Sequence, residues 1–200
     1  LAPHNQLYAH AMPGATFREA IRRFRPQVLI GATGAPGTFS EAVVRLMAEI
    51  NPHPVIFALS NPTSRAECTA EQAIGWSDGR AVFASGSPFA AITFQGKEYR
   101  PGQGNNAYVF PGIGLGAIAC GMRVISDEIF LTAAHTLAGM VSPQDLAAGA
   151  VYPPLTDIRK VSLAIAVAVA EQAWEQGLAR DERPDDLESL LAGMMYDPVY

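Results

Sequence analysis

Apolar positions first recur at helical spacing. Phe17, Ala20, Ile21 and Phe24 share one face of a predicted helix, which Thr16 would cap and Pro26 would stop. The period then changes. Val28-Leu29-Ile30 is a short unbroken apolar run of the kind a buried strand shows, and it ends in the loop Gly31-Ala32-Thr33-Gly34-Ala35-Pro36-Gly37. Helical spacing returns from Ser40, a candidate cap, to Ile50. Pro54 to Leu59 predicts a second strand, ending in Ser60-Asn61-Pro62-Thr63. A helix over Thr69 to Trp76 follows, and Ala81 to Ala84 predicts a third strand ending in Ser85-Gly86-Ser87-Pro88. Strand, loop and helix thus alternate, which predicts an α/β unit on a parallel sheet. Such sheets bind ligands outside the carboxyl ends of their strands. All three loops belong at that rim.

The second half changes character. From Asn106 onward the pattern is mostly helical, rich in Gly and Ala. Ser162 to Ala173 is apolar on most faces, and its alanines favour a buried helix over a strand. Asp181 to Glu188 is acidic and contains Pro184, which predicts an exposed linker. No internal repeat is present.

Composition narrows the function. The 200 residues suit one medium domain or two unequal pieces. Charged residues make up 16% and the net charge is −5, with no basic stripe, which argues against nucleic-acid binding. An acidic chain has no general attraction for an acidic substrate, so an anion site would need local charge or aimed N–H groups. Cys68 and Cys120 lack metal-type spacing and suggest a reducing compartment. The apolar stretch 107–122 is too short and too broken by Gly and Pro to predict a membrane span. No signal peptide is expected before Leu1, and a first residue other than Met fits a processed, cut or engineered start.

Three motifs could carry chemistry. Gly31-x-x-Gly34-x-x-Gly37 has the glycines of a phosphate-cradling loop without the usual dinucleotide spacing; it reads equally as a tight strand-to-helix turn. Asn61 ends a strand and offers a donor and an acceptor to a carboxylate, hydroxyl or amide; taken alone, an Asn-Pro turn explains it better. Gly102-Gln103-Gly104-Asn105-Asn106 precedes an apolar run. Its asparagines can cap a helix or face a ligand, and the paired Gly and Asn favour the ligand. His4, His10, His53 and His135 are scattered and read as surface or structural residues. Ser85-Gly86-Ser87 lacks the setting of a hydrolase nucleophile, and Asp127-Glu128 and Asp185-Asp186 read as solvated charges near helix ends.

Taken together, these segments resemble the malic enzyme family. Residues 56–71, from Ile56 through Ser60-Asn61-Pro62-Thr63 to Glu71, are similar to its strand and turn; Gly79 to Phe89 is similar to the next one. Pro101 to Gly112 is the most specific block, and Val151-Tyr152-Pro153-Pro154-Leu155 and Met195-Tyr196-Asp197-Pro198-Val199-Tyr200 agree with it. The resemblance runs in order along essentially the whole chain.

The resemblance implies oxidative decarboxylation of malate to pyruvate and carbon dioxide, with NAD or NADP as cofactor and a divalent metal, Mg or Mn. It implies that Asn61 and one or both of Asn105 and Asn106 contact malate or the nicotinamide end, with Gly31 and Gly34 in a loop along the cofactor. It implies no catalytic or metal-ligating role for any residue of this chain. The family's acid tyrosine, base lysine, malate-gripping arginine, acidic metal ligands and pyrophosphate loop would lie upstream of Leu1. The implied fold is the latter part of a Rossmann-like parallel-sheet cofactor domain over 1–105. A mostly helical segment over 106–178 would pack toward the catalytic domain, with a tail over 179–200. A homo-oligomer in the cytoplasm is implied, or in the mitochondrial matrix if the source is eukaryotic. A malolactic enzyme and a non-catalytic nucleotide-binding or structural fragment are the other readings.

Overall fold

The computed structural model describes residues 3–11 and 13–196. The part of the closing block at 197–200 lies outside the described residues. Helix α1 (Phe17–Phe24) begins in a reciprocal cap. The Thr16 hydroxyl accepts the Glu19 N–H at 3.3 Å, and the Glu19 carboxylate accepts the Thr16 N–H at 2.8 Å. It stops at Arg25, whose φ of 46° is left-handed, just before Pro26. Strand β1 (Val28–Gly31), α2 (Glu41–Ile50), β2 (Val55–Ala58), α3 (Ala70–Trp76) and β3 (Val82–Ser85) follow in the predicted order.

After β3 comes a hairpin that the sequence pattern did not predict: β4 (Ile92–Phe94) and β5 (Lys97–Tyr99), paired antiparallel. Its strands are three residues each, too short for a period to show. The turn signal was Gln95-Gly96, both at positive φ (51° and 78°), as a tight two-residue hairpin turn requires. The two-residue β6 (Gly102–Gln103) then joins the main sheet, whose order is β1-β2-β3-β6 with every pair parallel. The register aligns Gly31 with Ala58, Ala58 with Ser85 and Ser85 with Gln103. Every strand therefore ends at one rim.

The sheet core gathers Leu29, Val44, Met47, Ile56 and Phe83 beneath α2 and α3. β1 departs from the expected buried strand. Leu29 and Gly31 face the core, but Val28 is 47% and Ile30 62% exposed. β1 is an edge strand, and among the described residues its second face stays largely exposed.

The second half is helical: α4 (Phe110–Ala119), α5 (Asp127–Gly139), α6 (Pro143–Ala147), α7 (Ile158–Glu175) and α8 (Leu187–Met194). As expected, α7 is the buried centre, with Val161, Ile165, Val169 and Ala173 fully enclosed. The acidic linker is exposed through Asp186, where it becomes a cap: its carboxylate accepts the Ser189 N–H at 3.0 Å. Leu187 and Leu191 of α8 then bury themselves against the α7 core.

Tyr152 joins the two halves. Its ring stacks on Tyr108 (5.7 Å between centroids) and lies against Phe57 (6.3 Å). It also covers β6, where a Cβ on Gly102 or on Gly104 would come 3.1 Å from Tyr152 atoms. The Tyr108 hydroxyl donates to the Pro153 carbonyl at 2.7 Å.

Candidate functional site

The rim is built by the loops after β1, β2 and β3 and by the segment that leaves β6. Asn61 stands three residues past β2, and its bond to Pro62 is cis. Its side-chain oxygen accepts the Ser87 hydroxyl at 2.5 Å, which ties the β2 loop to the β3 loop. Gly86 lies directly beneath. A Cβ there would sit 2.3 Å from the Leu59 carbonyl and 2.7 Å from the Asn61 amide oxygen. Asn105 reaches the same spot from the other side, its amide nitrogen 3.5 Å from the Gly86 carbonyl. Asn61 and Asn105, 44 positions apart, thus meet across one glycine. Of the asparagine pair, Asn105 is the cap: its side-chain oxygen accepts the Ala107 N–H at 2.9 Å and opens the 3-10 turn Asn106–Tyr108. Asn106 is exposed in the first position of that turn.

The glycine loop is tied from within. The Thr33 N–H donates to Glu67 Oε1 at 2.7 Å, the Gly34 N–H to the Ser60 hydroxyl at 2.9 Å, and the Ala35 N–H to the Thr33 hydroxyl at 3.2 Å. Three successive amides are therefore committed inside the protein, and a carboxylate lies beneath them. A phosphate cradle needs such amides free. At these three positions the amides serve the loop's own contacts and are not offered to the rim.

Glu67 is the residue that sequence reasoning missed. It is fully buried just before the cap of α3 and unites two of the rim loops. Oε1 accepts the Thr33 amide, the Thr33 hydroxyl (2.8 Å) and the Ser60 hydroxyl (2.5 Å); Oε2 lies 3.4 Å from the Ser60 N–H. Burial pushes its carboxyl up, but the donors on Ser60 and Thr33 outweigh burial and hold it below the ordinary carboxylate value. The one available signal was an acidic residue set between Ala66 and Cys68 ahead of a helix cap. The neighbouring Cys68 thiol is pushed up to about 12, by burial and then by the Glu67 charge, so it is an inert thiol.

Next to the rim, a cavity of about 290 Å³ opens between β6 and the helical half, lined by Gln103, Tyr108, Tyr152 and Pro154. Arg100 is the cation at its edge and pairs with Glu98 at 2.7 Å. Among the described residues no group of three His, Cys, Asp or Glu side chains could hold a metal ion, and no helix is long and apolar enough to cross a membrane.

Residues 1–174 match the family model described as malic enzyme, NAD binding domain. The chain belongs to the malic enzyme family. The malic enzyme match takes in both the sheet and most of the helical half. The chain is 48% identical over 182 residues to an NADP-dependent malic enzyme of Dictyostelium discoideum, covering 91% of this chain and 34% of that protein. It is 51% identical to one from Phaseolus vulgaris, over 91% of this chain and 31% of the relative. The mitochondrial NAD-dependent malic enzyme of Ascaris suum is 46% identical over 99% of this chain and 31% of its own length. The chain thus spans about a third of the length of these relatives. The crystal structure of Entamoeba histolytica malic enzyme shares the fold, with a TM-score of 0.62 at 22% identity over 80% of this chain and 29% of that one.

Proposed function

We propose that this chain supplies one wall of the cofactor and malate site of a malic enzyme, which oxidises malate to pyruvate and carbon dioxide while reducing NAD or NADP. The observation that carries the reading is the meeting of Asn61 and Asn105 over Gly86, at the carboxyl edge of a parallel sheet. Neutral amides there suit a substrate carboxylate, a hydroxyl or the carboxamide of a nicotinamide ring. The bound cofactor would take the hydride; the chain's own part is to orient the reacting groups. Gly31 and Gly34 would line the uncharged part of the cofactor, because the amides at 33, 34 and 35 already have partners. The described residues offer no phosphate cradle at this loop and no cluster of three metal-binding side chains. The family resemblance puts the pyrophosphate loop and the Mg or Mn ligands elsewhere in the enzyme, and we place them outside the described residues.

In this reading 1–105 is the latter part of the cofactor domain. Residues 106–178 form a helical segment that packs toward the catalytic domain, and 179–200 a tail that α8 fastens to that segment. The complete enzyme is a homo-oligomer in a reducing compartment, the cytoplasm or a mitochondrial matrix. The two buried, unpaired cysteines support the reducing compartment.

The test is kinetic, in the complete enzyme. An amide facing a charged carboxylate contributes about 1.5–3 kcal/mol, so Asn61→Ala and Asn105→Ala each lower kcat/KM for malate by roughly ten- to a hundredfold. Asn106→Ala has the smallest effect. Variants that melt earlier but keep normal kinetics when folded would reduce these residues to turn and cap.

A further inference from the structure

We propose that Glu67 is a positioning residue: its carboxylate locks the Gly31–Gly37 loop to the Ser60–Asn61 turn and so sets where Asn61 presents its amide. The proposal rests on the reading of the rim given above.

A carboxylate can only accept. Both hydroxyls that touch it, on Thr33 and Ser60, must therefore point their protons inward. Ser60 is then left with lone pairs for the Gly34 N–H, and Thr33 for the Ala35 N–H. One anion thereby orients a chain of donors through both loops. The backbone of Glu67 adds a third tie, its carbonyl accepting the Phe39 N–H at 3.2 Å at the start of α2.

Stability alone does not call for this arrangement. A buried charge without a counter-ion is costly, and an apolar side chain of similar size would fill the space without that cost. The ion pairs among the described residues, Arg45–Glu41, Arg100–Glu98 and Arg183–Glu171, all lie elsewhere, so hydrogen bonds alone hold the Glu67 charge. The chain also gives up a side chain for it. A Cβ on Gly31 would come within 2.6–2.8 Å of the Glu67 carboxylate end, so the last residue of β1 is glycine. Asn61 follows Ser60 directly, and any slack at Ser60 moves it.

The experiment is a double-mutant cycle in the complete enzyme, with Glu67→Gln, Asn61→Ala and the double variant compared for kcat and KM of malate. Gln keeps the size but turns one acceptor into a donor facing groups that already donate. For folded Glu67→Gln, checked by circular dichroism at the assay temperature, kcat/KM falls by about tenfold or more. The double variant is little worse than Asn61→Ala alone, because both changes lose the same contact. Wild-type kinetics for folded Glu67→Gln, or losses that multiply in the double variant, would overturn the proposal. If Glu67→Gln does not fold, Ser60→Ala takes its place in the cycle and is read the same way. Asn61→Ala with normal kinetics would sink the rim reading itself, and this proposal with it. An impaired Asn61→Ala beside a normal Glu67→Gln would sink only the role of Glu67.

Discussion

Gly31, at the end of β1, and Gly34, in the loop after it, are glycine for different reasons. Gly31 is in ordinary strand conformation, but an added Cβ would strike a carboxylate held by hydrogen bonds from Thr33 and Ser60, and the carboxylate could yield only by breaking them. Gly34 faces open space, but its φ of 65° disfavours any side chain. Gly31→Ala is expected to destabilise by about 1–3 kcal/mol, as overpacking does, and Gly34→Ala by about 1–2 kcal/mol, the left-handed penalty. Urea midpoints check both. Glu67 also adds an acid dependence. Its folded value lies below the ordinary carboxylate value of 4.5. Its contribution is thus complete above the unfolded value and is lost as pH falls through the depressed folded one. The difference in urea midpoint between wild type and Glu67→Gln should be constant near neutrality and shrink in acid. A difference that stays constant in acid would show that Glu67 is not ionised. The glycines could be read in the sequence as special, but the cause at Gly31 could not, because Glu67 lies 36 positions away.

At the scale of elements, α4 shows how far a pattern can be read. Its run Phe110–Ala119 is apolar all round, so periodicity does not say which face packs. The contacts do. A Cβ on Gly112 would come 2.7 Å from the Ile165 side chain and 2.8 Å from the Ser162 carbonyl; on Gly116 it would come 2.6 Å from the Ala166 carbonyl. α4 therefore lies against the backbone of α7, and glycine permits the approach. Gly114 meets nothing within 4 Å. Gly112→Ala and Gly116→Ala are expected to destabilise, whereas Gly114→Ala should stabilise by about 0.5–1 kcal/mol through helix propensity. Opposite signs for one substitution within one helix are the outcome to measure by thermal melting. A shared sign would refute the face assignment. α1 carries a similar lesson. Of its apolar face only Ile21 is buried, with Phe17 42% and Phe24 49% exposed, so correct spacing located the helix without saying what covers it.

At the scale of the whole molecule, the described residues contain neutral amides and one buried carboxylate at the rim, but no cluster of three metal-binding groups. Proton transfer and metal-assisted charge stabilisation need groups of another kind. The purified 200-residue chain, assayed with malate, Mn²⁺ or Mg²⁺ and either NAD or NADP, is expected to show no turnover. Activity comparable to an intact malic enzyme would overturn that expectation. The exposed face of β1, with Val28 and Ile30 outward, is the corresponding structural feature: a strand made to be buried on both sides and covered here on one.

Local chemistry was enough for the sequence to determine the alternation of strand and helix, the capping of α1 by Thr16, the buried α7 and the identity of the loops at the rim; at α2 the expected cap Ser40 holds the cap position without a side-chain hydrogen bond. Each rests on neighbours within a few residues, where hydrogen-bond caps and side-chain periods act. The family blocks, such as Gly102-Gln103-Gly104-Asn105-Asn106, were legible for the same reason. Tertiary structure alone decided that Asn61 and Asn105 meet over Gly86 and that the glycine-loop amides turn inward to Glu67 and Ser60. It also decided that Tyr152 covers Gly102 of β6 and Gly104 just beyond it. These contacts join residues 19 to 50 positions apart. Their geometry follows from sheet register and from how tightly neighbouring backbones pack, and neither leaves a period in the chain.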